Sequence, residues 1–146
     1  MRLLYTIGYE GKSIDEFIQL IINNNIKTLI DVRELAISRR PGFAKTKLKS
    51  ALENKDVAYY HIPSLGSPKD VRHKLREDHD YATFFQSYRY HVCLMLDDVM
   101  RVTEIAEKEN TCLLCYEHNP LECHRSVLAE MITKYSRIID KVVDIS

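Results

Sequence analysis

Short apolar runs alternate along the chain with stretches of helical period. Residues 3–7, LLYTI, predict a buried strand stopped by Gly8. Ser13-Ile-Asp-Glu16 has the form of a capping box, in which the serine oxygen accepts from the third helical amide and the glutamate reaches back. Ile14, Phe17, Ile18, Ile21 and Ile22 follow on one helical face. Asn23, Asn24 and Asn25 suit the exit, because asparagine tolerates left-handed backbone. Residues 26–32 (IKTLIDV) and 57–62 (VAYYHI) predict the second and third strands, with a helix over 45–54 between them. Ser67, Pro68 and Asp70 suit the cap, first-turn proline and third-position carboxylate of another helix. After Asp80, a further cap, Tyr81, Phe84, Phe85, Tyr88, Val92, Met95, Leu96, Val99 and Met100 keep helical spacing as far as 107. That stretch is one long helix or two meeting near Asp97-Asp98. Residues 111–116 (TCLLCY) predict strand four, 120–135 a helix, and 138–145 a last strand.

Strands that alternate with helices and are apolar throughout predict an α/β fold. We expect a single-domain three-layer sandwich over residues 1–146, with a mainly parallel sheet of about five strands, Rossmann-like or flavodoxin-like. The strand order is not legible. Ligands of such sheets bind outside the carboxyl ends of the strands. Those ends carry Gly8-Tyr9-Glu10, Asp31-Val32-Arg33, His61 with the following Pro63-Ser64-Leu65-Gly66, and Cys115-Tyr116-Glu117 with His118. These are not generic turn residues, and a ligand site at this rim is expected.

Composition narrows the classes. Lys and Arg number 21 and Asp and Glu 21, so no global field draws a polyanion and any such case rests on local clustering. Clustering is present: no acid lies between Glu34 and Glu53, while Arg39, Arg40, Lys45, Lys47 and Lys49 fall in that interval. Phe43 is the only aromatic among them, which does not make a base-stacking platform. Such a local field can draw in an anion, which makes nucleic acid a reasonable partner, with a solvated basic face as the alternative account. No apolar run approaches the ~20 residues that span a bilayer. The N-terminus meets glycine and glutamate too early for a signal peptide. Four cysteines without a leader (Cys93, Cys112, Cys115, Cys123) then predict free thiols in a reducing cytoplasm.

The densest chemistry lies in LLCYEHNPLECHRSVLAEMI, residues 113–132. Cys112 and Cys115 form a Cys-x-x-Cys. Residues three apart on a strand face opposite sides of the sheet, so the pair is not a zinc knuckle. A turn could still gather Cys115, Cys123, His118 and His124, but no metal and no cofactor are expected. Asn119-Pro-Leu-Glu122 reads as cap, first-turn proline and third-position glutamate, which puts Cys123 just past the first turn of a helix. Helix dipoles and nearby arginine favour thiolate, so Cys123 and Cys115 are the candidate nucleophiles, against the commoner fate of a buried inert thiol. Adjacent helical residues diverge by about 100°, which makes His124 a poor base for its neighbour. His61, His118 or Glu117 would serve better. His73, His79 and His91 read as surface or packing residues, and the Tyr81–Met100 stripe as core.

The ordered set Thr6-Ile-Gly-Tyr-Glu10, Asp31-Val-Arg33, Ser38-Arg-Arg-Pro-Gly-Phe43, Leu65-Gly66, Tyr81-x-x-Phe84 and Cys115-Tyr-Glu117 followed by Cys123-His-Arg125 resembles the uncharacterised family catalogued as domain of unknown function 488. The resemblance runs from residue 4 to about residue 132. It implies a small single-domain cytosolic prokaryotic α/β protein and names no reaction. The family's recurrent polar positions map onto Gly8, Asp31, Arg33, Ser38, Arg39, Phe43, Gly66, Cys115, Glu117, Cys123, His124 and Arg125. Tyr9 stands where many relatives carry histidine.

The expectation is an enzyme acting on a phosphate-bearing substrate, a nucleotide or a nucleic acid end. Glu117, Cys123, Cys115 and Asp31 are the candidate reacting groups. Gly8, Glu10, Arg33, Ser38, Arg39, His61, Gly66, His124 and Arg125 are the candidate substrate contacts. The alternative is a non-catalytic nucleotide or nucleic-acid binding module. A third reading is a thiol switch between Cys115 and Cys123.

Overall fold

A computed structural model describes residues 2–146. The chain alternates β1 (Arg2–Gly8), α1 (Ile14–Asn23), β2 (Thr28–Asp31), α2 (Lys45–Glu53), β3 (Ala58–His61), α3 (Lys69–Asp78), α4 (Tyr81–Cys93), α5 (Leu96–Lys108), β4 (Thr111–Cys115), α6 (Arg125–Tyr135) and β5 (Ile139–Ile145). One-turn 3-10 helices precede α3 (Pro63–Leu65) and α6 (Pro120–Glu122). The five strands form one parallel sheet in the order β3-β2-β4-β1-β5. This is the expected α/β sandwich, and it supplies the strand order that the sequence left open. β4 sits between β2 and β1, so the strand ending in Cys115 is the central one.

Strands β2 and β4 are buried at every position because helices cover both faces. One face packs Ile7, Phe17, Ile21, Leu29, Phe43, Leu48, Leu52, Cys112 and Leu114 under α1 and α2. The other packs Leu4, Ile30, Val32, Leu113, Cys115 and Cys123 against Tyr88, Val99, Val102 and Leu128. Cys112 and Cys115 do lie on opposite faces, as strand geometry requires.

Local chemistry sets most boundaries. Ser13 Oγ accepts from Glu16 N at 3.2 Å, and the hydroxyl donates to the Glu16 carboxylate at 3.1 Å. Asn25 takes the left-handed backbone expected of the asparagine run (φ 55°). Asp80 Oδ1 accepts from Thr83 N at 3.1 Å and caps α4. Three boundaries differ from the sequence reading. The break between α4 and α5 falls at Leu94 and Met95, and Asp97 and Asp98 occupy the first turn of α5, where acidic charge suits the helix dipole. α3 is capped at Pro68 with no side-chain bond. Asn119 caps only the 3-10 turn, after which Cys123 is extended (φ −135°, ψ 144°), so α6 starts at Arg125.

Candidate active-site cleft at the sheet rim

The strand ends are level. Gly8 lies beside Cys115 in the register, and Asp31 beside Leu114 and His61. The chain beyond β4 folds back over β1, and only glycine permits it: a Cβ on Gly8 would stand 1.7 Å from the Glu117 carbonyl oxygen. Arg125, fully buried, clips this return. Its Nη1 donates to the Glu117 carbonyl at 2.5 Å and to Cys115 Sγ at 3.2 Å. Nη2 donates to the His118 carbonyl at 3.0 Å and to Asp144 Oδ1 at 3.1 Å. Glu10 completes the fastening by accepting from His118 N at 2.9 Å.

Asp31 and Arg33 form a second buried knot. Nε and Nη2 of Arg33 donate to the two carboxylate oxygens at 2.9 and 2.7 Å. Tyr59 adds its hydroxyl to Asp31 Oδ2 at 2.5 Å. Nη1 of Arg33 donates to the Phe43 carbonyl at 2.9 Å and to Tyr9 Oη at 3.4 Å. Tyr9 stacks on Phe43 with ring centres 4.4 Å apart, and the Arg33 guanidinium lies 5.3 Å from the Tyr9 ring. Burial works against the charge on Arg33, but the hydrogen bonds and charge of Asp31 outweigh it and raise the pKa. Asp31 is wholly enclosed and does not line the cleft, so its part is to hold Arg33.

Above these knots a cleft of about 480 Å³ opens between the rim and the α3–α4 corner. Tyr9, Arg33, Cys115, Tyr116, Glu117, Glu122 and His124 line it from the sheet side, and Ser67, Arg72, Arg76, His79, Tyr81 and Phe84 from the other. Arg72 pairs with Glu34 at 2.9 Å and also donates to the Ser67 carbonyl. Arg76 has no carboxylate partner among the described residues. Burial pushes the Glu117 carboxyl above its ordinary value, against the pull of its own backbone hydrogen bond and of Arg125. Such a carboxyl can give or take a proton closer to neutrality than a solvated one.

The structure joins Cys115 and Cys123 as a disulfide, leaving Cys93 and Cys112 free. Four free thiols were expected; the return of the chain over β4 brings the two sulfurs together. Burial raises the Cys112 thiol well above its ordinary pKa and keeps it inert. His124 donates from Nε2 to the Val32 carbonyl at 2.7 Å, which leaves Nδ1 with its lone pair 3.8 Å from Cys123 Sγ. The ring reaches its neighbour because Cys123 lies outside the helix, where the helical divergence does not apply. Burial lowers the His124 pKa to about 4 and keeps the ring neutral. Cys123 Sγ also accepts from Arg125 N, the start of α6, at 3.5 Å.

Of the expected contacts, Arg33, Cys115, Glu117 and His124 line the cleft, while Gly8, Glu10, Asp31, Cys123 and Arg125 build its floor and walls from beneath. Gly66 lets the chain after β3 cross that after β2, since a Cβ there would meet Glu34 N at 2.2 Å. Three residues are placed elsewhere. Ser38 caps its own loop by accepting from Arg40 N at 3.1 Å, and Arg39 is exposed outside the cleft. His61 bonds the Arg33 carbonyl at 2.7 Å and opens on the opposite side of residues 34–37. Sequence reading missed Arg72, Arg76 and His79, which arrive on a helix with no buried residue and no strand end to mark it. It also missed Lys12, buried with Nζ 3.1 Å from the Gly8 carbonyl and 3.3 Å from His118 Nδ1.

Fold and site together define a parallel α/β protein with a cleft at the carboxyl edge of its central strand. A family model described as "Domain of unknown function DUF488" matches residues 13–132, and the chain belongs to that family. Neither the curated proteins nor the solved structures include a match. The matched span holds every cleft-lining residue except Tyr9.

Proposed function

We propose that the protein is an enzyme acting on a phosphate-bearing substrate, a nucleotide or a nucleic acid end, in the rim cleft. The observation that carries this reading is one space of nucleotide size holding a part-buried carboxylate, an unpaired guanidinium and three tyrosine rings. Arg76, supported by Arg72, receives the phosphate. Tyr81 and Tyr116 offer faces for a flat base, and Tyr9, held against Phe43 and Arg33, backs the wall behind them. Glu117 acts as general acid or base at the reacting bond. Arg125 and Asp31, sealed beneath, are positioning residues.

Nucleoside monophosphates and a 5′-phosphorylated oligonucleotide are the probes, with binding read by calorimetry and turnover by phosphorus NMR. Glu117→Gln keeps binding and lowers turnover about a hundredfold or more. Arg76→Ala weakens binding about tenfold. Equal turnover in wild type and Glu117→Gln would reject the role of Glu117.

A non-catalytic binding module is the second reading, and the start of α2 favours it. Lys45 and Lys47 stand in a first turn with no acid and no side-chain cap, where positive charge opposes the helix dipole. A bound polyanion on that face offsets the conflict. This reading predicts binding that is lost with the lysines, untouched by Glu117→Gln, and without turnover.

A further inference from the structure

Three donor atoms meet at the base of the cleft that the reading above leaves without a task. Cys115 Sγ, Cys123 Sγ and the ring nitrogen of His124 all lie within 4.8 Å of one another, and all three residues are buried. We propose that, with the cysteines reduced, these three residues form a Cys2His site for a thiophilic divalent metal of the zinc class, its fourth position facing the cleft.

Four features of the surroundings argue for a metal. The Cα atoms of Cys115 and Cys123 are 7.4 Å apart. Disulfides usually span about 4.4–6.8 Å between Cα atoms. Two sulfurs each about 2.3 Å from one tetrahedral ion lie roughly 3.8 Å apart, which suits a wider backbone separation. His124 is oriented as metal-bound histidines are: Nε2–H is spent on the Val32 carbonyl at 2.7 Å, so Nδ1 presents its lone pair toward Cys123. Arg125 supplies outer hydrogen bonds to both sulfurs, from Nη1 to Cys115 at 3.2 Å and from its backbone N–H to Cys123 at 3.5 Å. These donors favour the thiolate forms that a metal requires.

The fourth feature is the way out. Cys115 and His124 line the cleft, whereas Cys123 does not, so an ion held by all three is open on the cleft side. Glu117 Oε2 stands 3.8 Å from Cys115 Sγ, within reach of a water in that open position. Three protein ligands with one open position are the arrangement of catalytic zinc, against four for structural zinc. The bonded cysteine pair is then the oxidised, metal-free form. A dithiol reductant takes it apart by thiol–disulfide exchange and becomes a disulfide itself. The two thiols so formed lose their protons as the ion binds. The expectation of no metal set aside Cys112 with Cys115, which do face apart, and left open a turn that gathers Cys115, Cys123, His118 and His124. The competent set uses Cys115 with residues eight and nine positions later.

The test is metal content under reducing conditions. Reduced protein is loaded with Co(II) and separately with Zn(II), then dialysed. Expected are one equivalent per chain, thiolate-to-cobalt charge transfer, and the intense visible bands of tetrahedral cobalt. Cys123→Ser and His124→Gln lose the ion, whereas Cys112→Ser and His118→Gln keep it. Oxidised wild type, which needs no substitution to fold, releases the ion and recovers it on reduction. Reduced wild type that binds no ion, or one that Cys123→Ser and oxidation both leave in place, overturns the proposal. Its failure is separable from that of the cleft reading, because nucleotide binding is measured independently of metal content.

Discussion

At the residue scale, the floor of the cleft depends on charges that are buried but matched. Asp31 is enclosed, and its two oxygens receive the Arg33 guanidinium twice, the Arg33 backbone N–H once and Tyr59 once. Asp31→Asn leaves the Arg33 guanidinium buried with a neutral partner, and we expect a loss of about 3–5 kcal/mol in urea unfolding. Replacing Asp31 and Arg33 together by leucine and methionine is expected to cost less than the single change, because no uncompensated charge remains. A double variant less stable than Asp31→Asn would contradict the pairing as described. Gly8 is the steric counterpart. Any side chain there meets the Glu117 carbonyl, so Gly8→Ala is expected to cost about 3 kcal/mol and to displace the return loop. The polar identities at strand ends were legible in the sequence because a parallel sheet collects them on one edge. Which of them face one another was not legible. Asp31 and Arg33 are two residues apart and saturate each other, a pairing that spacing does not distinguish from two groups aimed at a ligand.

At the element scale, helices with a buried stripe were readable from period alone, as α1 and α6 were. The start of α6 was misread because Asn119-Pro-Leu-Glu122 satisfies the same capping grammar whether one turn follows or several. The structure stops after one turn, and that interruption is what frees Cys123 to face Cys115. α3 is the opposite case. It buries no residue, so its pattern carried no sign of a role, yet it supplies one wall of the cleft. An element with so little burial opens at lower cost than the core. Amide hydrogen exchange is expected to be faster in residues 69–78 than in 125–135, with ligand binding slowing the former. Equal protection in the two helices before ligand is added would contradict this.

At the scale of the whole molecule, the strand order decides what the protein can do. Inserting β4 between β2 and β1 brings Gly8, Asp31 and Cys115 to adjacent strand ends and gives the central strand the return loop that carries Glu117. Sequence reasoning found the layers and the rim but not this order, since nothing in the runs of apolar residues records which strands pair. The order also separates two charged regions: the cleft with Arg72 and Arg76, and the exposed start of α2 with Lys45 and Lys47. No helix among the described residues is long and apolar enough to cross a membrane. We propose that ligand enters the first of these regions. Backbone amide NMR of the isotopically labelled protein, titrated with the four common nucleoside monophosphates, tests it most directly. Shift changes concentrated at residues 33–37, 72–84 and 115–124 are predicted for at least one nucleotide. Changes confined to residues 45–49, or none with any of the four, would contradict it.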